Sequence, residues 1–471
     1  MITLHKEETL KNEILHVLNE AKKKKHPIIF SYVTKVAQTD PLQIFSIFAS
    51  LHKGKRFFWS TPEQNFILCG VGTEMTLTND QDSVHRFYTI EAIWNEWKHY
   101  THVFGQKDYG SGPMLFGGFS FDPKKENKSS KWSEFSSARF HLPCLMVTKH
   151  DEEMYLTINK IVHRDDKLEE LFQHFESYQN MFKRNYIPYK EKNPSQQDKK
   201  IYYQEKWLQT VQKATELIKA NRFEKVVLAR EVLLSFDQPI PINLVLNKLK
   251  KTLSTSYLFA FEVGKKCFVG ATPERLVKKK GIQVFSTCLA GSIKRGKNKI
   301  EDDLLGEQLL HDPKNLLEHE IVVRMIKNAF EKCCDEVETK DSPTLLKTQN
   351  IQHLYTPIKG KIKNGFSLMD VVEKLHPTPA LGGYPKKEAL QFIRDEEPME
   401  RGWYAAPIGW IDLEDNGEFV VAIRSTLIDH RQAYLFAGCG IVQDSIPEEE
   451  WKETEIKLGP MLYALGGTKD E

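Results

Sequence analysis

Several things are scarce in this chain. Seven cysteines in 471 residues are an odd number, scattered and without a CxxC pair, which argues against a disulfide framework or a zinc site and for reduced thiols filling a core. No run of about 18 apolar residues occurs, so no membrane-spanning helix is expected. The opening MITLHKEETLKNEILHVLNE is charged from His5 onward and lacks a secretory apolar stretch, so the expectation is a cytoplasmic protein with no membrane partner. Charge of one sign is missing too: 66 Lys and Arg face 64 Asp and Glu, a net +2. That balance is too even for a protein devoted to neutralising a phosphate backbone, and no nucleic-acid partner is expected. No internal repeat of fixed period is present.

What is there reads as an ordinary globular chain, 40% hydrophobic and 28% charged, which excludes large-scale disorder. Leu10, Ile14, Leu15 and Leu18 fall at helical spacing, and Lys22 to Lys25 end that helix before a strand-like IIFSYV. FILCGVG, LFGGFSFD and LPCLMVTKH read as strands, while the polar stretch 186–200, YIPYKEKNPSQQDKK, reads as a linker or long surface loop. After it come a helix through Trp207, Val211, Ala214, Leu217 and Ile218 and a β-branched strand, FEKVVLAREVLLSF. EFVVAIRSTLID and AYLFAGCGIV, parted by a short polar turn, look like a hairpin. The fold class is α+β, with extended antiparallel sheets packed together and helices outside. Residues 1–200 form a sheet-containing part of the same compact fold, and 201–471 carry the chemistry.

Four charged residues stand out. In a strand, Lys225 shares a face with Phe223, Val227 and Ala229, so desolvation would turn it toward a usable base, or it snorkels to water as an edge lysine. Glu318 lies beside the stripe of Ile321, Val322, Met325 and Ile326; it either meets a Mg²⁺ ion or pairs with a Lys or Arg at the core edge. Glu453 and Lys457, one turn apart on a helix begun by SIPEEE, are on their own an i,i+4 surface pair. His319 has no HExxH context. GSIKRGKN, residues 291–298, nearly matches a phosphate-binding loop, but Asn298 stands where the Mg²⁺-ligating hydroxyl belongs. A nucleotide-binding protein built around it is the alternative from another class.

Taken in order, KVVLAR (225–230), ATPERL (271–276), LAGSIKRG (289–296), LLEHEIVV (316–323), HPTPALGG (376–383) and AGCGIV followed by EEEWKETEIKL resemble the chorismate-utilising enzymes, the anthranilate synthase component I-like family. Within that family the chain most resembles the isochorismate synthases. The resemblance spans about residues 205–465; upstream only GGFSFD contributes. It implies Mg²⁺-dependent isomerisation of chorismate to isochorismate, with no organic cofactor and no glutamine amidotransferase subunit. Lys225 would activate water for attack at C2, Glu274 would protonate the departing C4 hydroxyl, and Glu318 and Glu453 would hold Mg²⁺. Arg424, Gly438 and Lys457 would position the substrate's carboxylates, and Thr287, Ala290, Gly291, His376 and Ala380 would line the pocket.

Relatives of other activity differ at three of these positions. By resemblance, ammonia-using members usually carry Gln at 225, aminodeoxychorismate synthases place a lysine at 290, and pyruvate-eliminating salicylate synthases tend to carry Thr at 380. All three favour simple isomerisation, with a siderophore-pathway isochorismate synthase or a salicylate synthase as the alternatives to a menaquinone-pathway enzyme. Asn315 departs from relatives that have an acid there.

Overall fold

Strand Arg56–Ser60 reads Arg-Phe-Phe-Trp-Ser and is buried throughout. Successive side chains point to opposite faces, so Phe57 and Trp59 join one core cluster and Phe58 another. The same alternation recurs at Leu258, Phe259, Ala260 and Phe261. A sheet covered on both faces needs such continuous apolar runs. The computed structural model describes residues 2–80, 85–124, 130–183, 192–347 and 351–467. Among these, the strands make a 13-stranded and a 10-stranded sheet. Pairing is antiparallel except where Ile28–Lys35 runs parallel to the edge strand Thr101–Gly105.

The sheets face each other through stacked aromatics. Phe57 lies 4.4 Å from Phe116, ring centre to ring centre, and Phe261 lies 5.4 Å from Trp403. On the outer face of the larger sheet, Ile14 and Val17 of the first helix, Phe45, Phe175, Leu246, Leu458 and Met461 form the second core. All seven cysteines are buried and free. The first helix, Ile2–Lys24, stops in the lysine run as expected, with Leu15 on its exposed side.

The structure corrects three local expectations. Residues 186–191 of the expected linker lie outside the described residues, but Gln196–Ile201 is a fully exposed strand pairing with Val232–Phe236. EFVVAIRSTLID is not one strand: Gly417–Val421 belongs to the smaller sheet and Ser425–Asp429 to the larger, and only the latter forms the hairpin with Gln432–Ile441. The break falls at Arg424, whose φ of 49° turns the chain from one sheet to the other. The last helix, Pro447–Leu465, has no side-chain cap on its amides, because Ser445 instead donates to Glu450 Oε1 at 2.6 Å.

GSIKRGKN is no phosphate cradle. Ser292, Ile293 and Lys294 continue strand Gln283–Lys294 and pair with His353, Gln352 and Ile351, while Asn298 caps the next helix by accepting from Glu301 N. A phosphate loop must instead turn its amides inward on the ligand.

Candidate active site

Strand Lys225–Phe236 pairs along one edge with Gln432–Ile441, setting Val227 opposite Gly440 and Ala229 opposite Gly438. Among the described residues, its other edge has only Gly383–Tyr384 near the start and Gln196–Ile201 near the end as strand partners. The backbone groups between must be satisfied otherwise. Glu397 Oε2 accepts from Ala229 N at 2.7 Å, Arg401 Nη2 donates to Val227 O at 2.7 Å, and Trp207 Nε1 donates to Ala229 O at 3.1 Å. Arg401 and Glu397 also pair at 2.6 Å and are buried. Breaking such a pair costs about 3–5 kcal/mol. This brace fixes the strand that carries Lys225.

Two chain crossings between the sheets run side by side. One passes through Pro273 and Glu274, between strands Lys266–Thr272 and Arg275–Lys280; the other passes through Ala422 to Arg424. They are tied together by Val421 N donating to Glu274 O and Ala271 N to Arg424 O, both at 3.0 Å. Each crossing thus delivers one candidate residue to the seam between the sheets.

A cleft of about 520 Å³ opens at that seam. Ten of the twelve residues expected from the sequence line it: Lys225, Glu274, Ala290, Gly291, Glu318, Ala380, Arg424, Gly438, Glu453 and Lys457. Thr287 and His376 do not. Thr287 Oγ1 donates to Arg275 O at 3.4 Å, and His376 is buried with its Nε2 on the Phe121 carbonyl at 2.9 Å. The cleft also takes in Lys294, Lys314, His353, Tyr404, Gly440 and Glu450, which sequence reasoning did not single out.

Lys225 is buried and its ammonium donates to Glu318 Oε1. The pairing read for Glu318 is met, by Lys225, which is buried rather than snorkelling to water as an edge lysine, and the pair lines the cleft. Glu318 sits on helix Pro313–Cys333, which is anchored through its neighbour His319. Burial keeps that imidazole neutral; its Nδ1 meets Ala290 O at 2.9 Å and its Nε2 meets Thr356 Oγ1 at 2.8 Å. The carbonyl can only accept, so Nδ1 carries the proton and the threonine hydroxyl donates to Nε2. Ala290 lies at a bulge between Leu289 and Ser292, which re-aims the strand at the site. Lys457 Nζ pairs with Glu453 Oε1 at 2.6 Å and donates to Gly438 O at 2.9 Å.

The carboxyls divide into two kinds. Burial pushes Glu274 up to about 7 against the pull of Lys225 and Lys457. Burial also works on Glu318, but the charge and hydrogen bond of Lys225, helped by Lys457 and Lys314, outweigh it and hold that carboxyl below its ordinary range. Environments that separate two titratable groups in this way mark one as a proton donor and the other as an anion. Arg424 is drawn down by burial, opposed by Tyr404 and Glu453. Glu318 and Glu453, with the side-chain amide of Asn315 in the same cleft, make an all-oxygen donor set, which suits a hard ion that accepts one or two carboxylates plus water and substrate.

The Gly-Cys-Gly alternation of strand Gln432–Ile441 turns two glycines toward the cleft and buries Cys439. A Cβ at Gly440 would stand 2.7 Å from Lys225 Cε and 3.2 Å from its Nζ. Gly440→Ala is therefore expected to displace the amine and lower kcat by about 10²-fold, the usual cost of an ångström-scale misplacement, with an unchanged circular dichroism spectrum. Unaltered kcat in that variant would mean the lysine's placement is not critical. Alternating glycines in a strand were the available signal for Gly440. Lys314, four residues before Glu318 on its helix, could have been found by spacing. Tyr404 had no such signal, since it lies in an irregular stretch before Ala405, whose φ is 63°.

The chain belongs to the chorismate-binding enzymes: the family model described as "Chorismate binding enzyme" matches residues 16–466. It is 46% identical over 471 residues to isochorismate synthase MenF of Bacillus subtilis, covering 98% of each chain. It is 34% identical over 465 residues to the salicylate biosynthesis isochorismate synthase of Pseudomonas aeruginosa, covering 97% of this chain and 95% of that one. Its fold matches the menaquinone-specific isochorismate synthase MenF of Escherichia coli with a TM-score of 0.79 at 23% identity, over 95% of this chain and all of that one. No helix among the described residues is long and apolar enough to cross a membrane.

Proposed function

We infer that the protein is an isochorismate synthase, an isomerase that adds water at C2 of chorismate and expels the C4 hydroxyl. The observation that carries this reading is one cleft holding a buried lysine, a carboxyl raised to about 7 and a second carboxyl held as an anion. Likeness along the whole length to the B. subtilis enzyme supports it. In this reading Lys225, acting as the free amine rather than as the ammonium that pairs with Glu318, takes a proton from the attacking water, the ring double bonds shift, and Glu274 gives its proton to the C4 oxygen, which leaves as water. No atoms are gained or lost overall, and no ammonia-delivering subunit is required because water is the nucleophile. Arg424, Lys457 and the Tyr404 hydroxyl receive the substrate's carboxylates, and Gly438 keeps that floor flat: a Cβ there would lie 3.0 Å from Leu228 O and 3.3 Å from the Tyr404 hydroxyl.

Glu318 and Glu453 would hold Mg²⁺, which when bound supplies positive charge against the ring carboxylate. We assign the product to menaquinone rather than siderophore synthesis on the whole-length likeness to the B. subtilis MenF, a designation that the description of the E. coli structure ties to menaquinone. A cytoplasmic site of action goes with that assignment. Incubating chelator-treated protein with chorismate, with and without Mg²⁺, and separating the products tests the reading. Isochorismate without pyruvate, formed only when Mg²⁺ is restored, is expected. Full turnover in EDTA removes the metal, whereas salicylate with stoichiometric pyruvate makes the protein a salicylate synthase.

A further inference from the structure

Away from the cleft, the first helix carries a polar stripe beside its buried face. Glu13, His16 and Glu20 fall at i, i+3 and i+7, spacings that stack side chains along one side of a helix, while Ile14, Val17, Leu18 and Ala21 are buried in the core. The stripe meets Thr101–Gly105, the outermost strand of the 13-stranded sheet. His102 on that strand bonds Glu13 Oε2 through Nε2 at 3.1 Å, and its ring meets that of His16 edge-on at 5.7 Å. One ligand atom each of His16, Glu20 and His102 lies within 4.8 Å of the others.

We propose that His16, Glu20 and His102 bind one divalent ion of the zinc class, with Glu13 orienting His102. Two imidazoles and a carboxylate are a donor set that selects such an ion over Mg²⁺, which prefers oxygen alone. Tetrahedral zinc with bonds of about 2.0–2.1 Å brings its ligands to roughly 3.3 Å from one another. His16 is exposed and His102 and Glu20 are half-buried, so rotamer shifts can close the distance. Among the described residues, Glu20 has a partly exposed i,i+4 pair with Lys24, at 3.3 Å, to surrender; such pairs contribute little. The carboxylate beside His102 matches the outer partner that metal-bound histidines generally keep. The ion would tie the first helix to a five-residue edge strand.

The test uses the full chain, stripped with chelator and returned to excess Mg²⁺ so that the cleft carboxylates are occupied, then titrated with Zn²⁺ by calorimetry and followed by thermal unfolding. One Zn²⁺ per chain and a raised unfolding midpoint are expected. His16→Ala and His102→Ala should each weaken binding by more than about tenfold, at least what loss of an outer-shell partner costs, and abolish the midpoint shift. Turnover of chorismate with Mg²⁺ should stay at the wild-type level in both. Absence of saturable Zn²⁺ binding, or equal affinity and equal midpoint shift in both variants, overturns the proposal.

Discussion

Lys225→Ala should lower turnover of chorismate by about 10²–10⁴-fold, the range over which a positioned general base acts. Lys225 is held by a braced strand, lies over a glycine that leaves room for its stem, and reaches the cleft beside Glu318. The carboxylate-binding groups assigned to Arg424 and Lys457 sit on other elements, so KM should change much less than kcat. Truncation also strips Glu318 of its partner, which could by itself disturb the site. Lys225→Gln separates the two effects, because the amide still donates to the carboxylate but accepts no proton at neutral pH. Both variants should be equally slow while their circular dichroism and unfolding midpoints stay near wild type. If Lys225→Gln keeps near-normal kcat, the base is another group.

Much of the site was legible because its residues sit in short segments of distinctive order. Six such segments converge on one cleft although they lie up to some two hundred residues apart in the chain. Proximity in a motif did not guarantee proximity in space. Thr287 lies three residues before Ala290, but the bulge that follows Leu289 re-aims the strand only beyond it. His376 begins HPTPALGG, yet its ring is spent on the Phe121 carbonyl while Ala380 reaches the cleft.

The fold was readable where pattern and burial agree and hidden where they part. Strand runs such as Phe66–Val71 and Lys225–Phe236 are buried throughout or nearly so, and their apolar continuity marks them. Gln196–Ile201 is exposed at every position and so carries no apolar signal; it is a strand because the edge of Val232–Phe236 offers it backbone partners. The crossing at Ala422 to Arg424 hides for the opposite reason. Its flanks are apolar and β-branched on both sides, and the left-handed residue that switches sheets is an arginine rather than a glycine. A non-glycine residue there carries strain of order 1–3 kcal/mol, tolerated at a position that delivers a guanidinium to the cleft at the seam.

Glu274→Gln should abolish the alkaline limb of the pH profile together with most of the turnover. Burial raises this carboxyl from 4.5 to about 7 against the attraction of Lys225 and Lys457. A proton donor is active in its protonated form, so the limb of the wild-type kcat profile set by Glu274 should fall as pH rises through about 7. Glutamine has no ionisable proton to give, and the variant should lose about 10²–10⁴-fold in kcat at neutral pH, with the remainder no longer declining through that range. Stability supplies a second readout with a fixed sign. A carboxyl whose folded pKa exceeds its unfolded one favours the folded state fully below the unfolded value, and that contribution is lost as pH rises through the folded value. The unfolding midpoint of Glu274→Gln should therefore gain on wild type between about pH 4.5 and 7 and hold its advantage above. A wild-type profile flat from pH 6 to 8, or a variant whose midpoint tracks wild type across that interval, would show that Glu274 does not titrate there and would overturn its assignment as a proton donor tuned near neutrality.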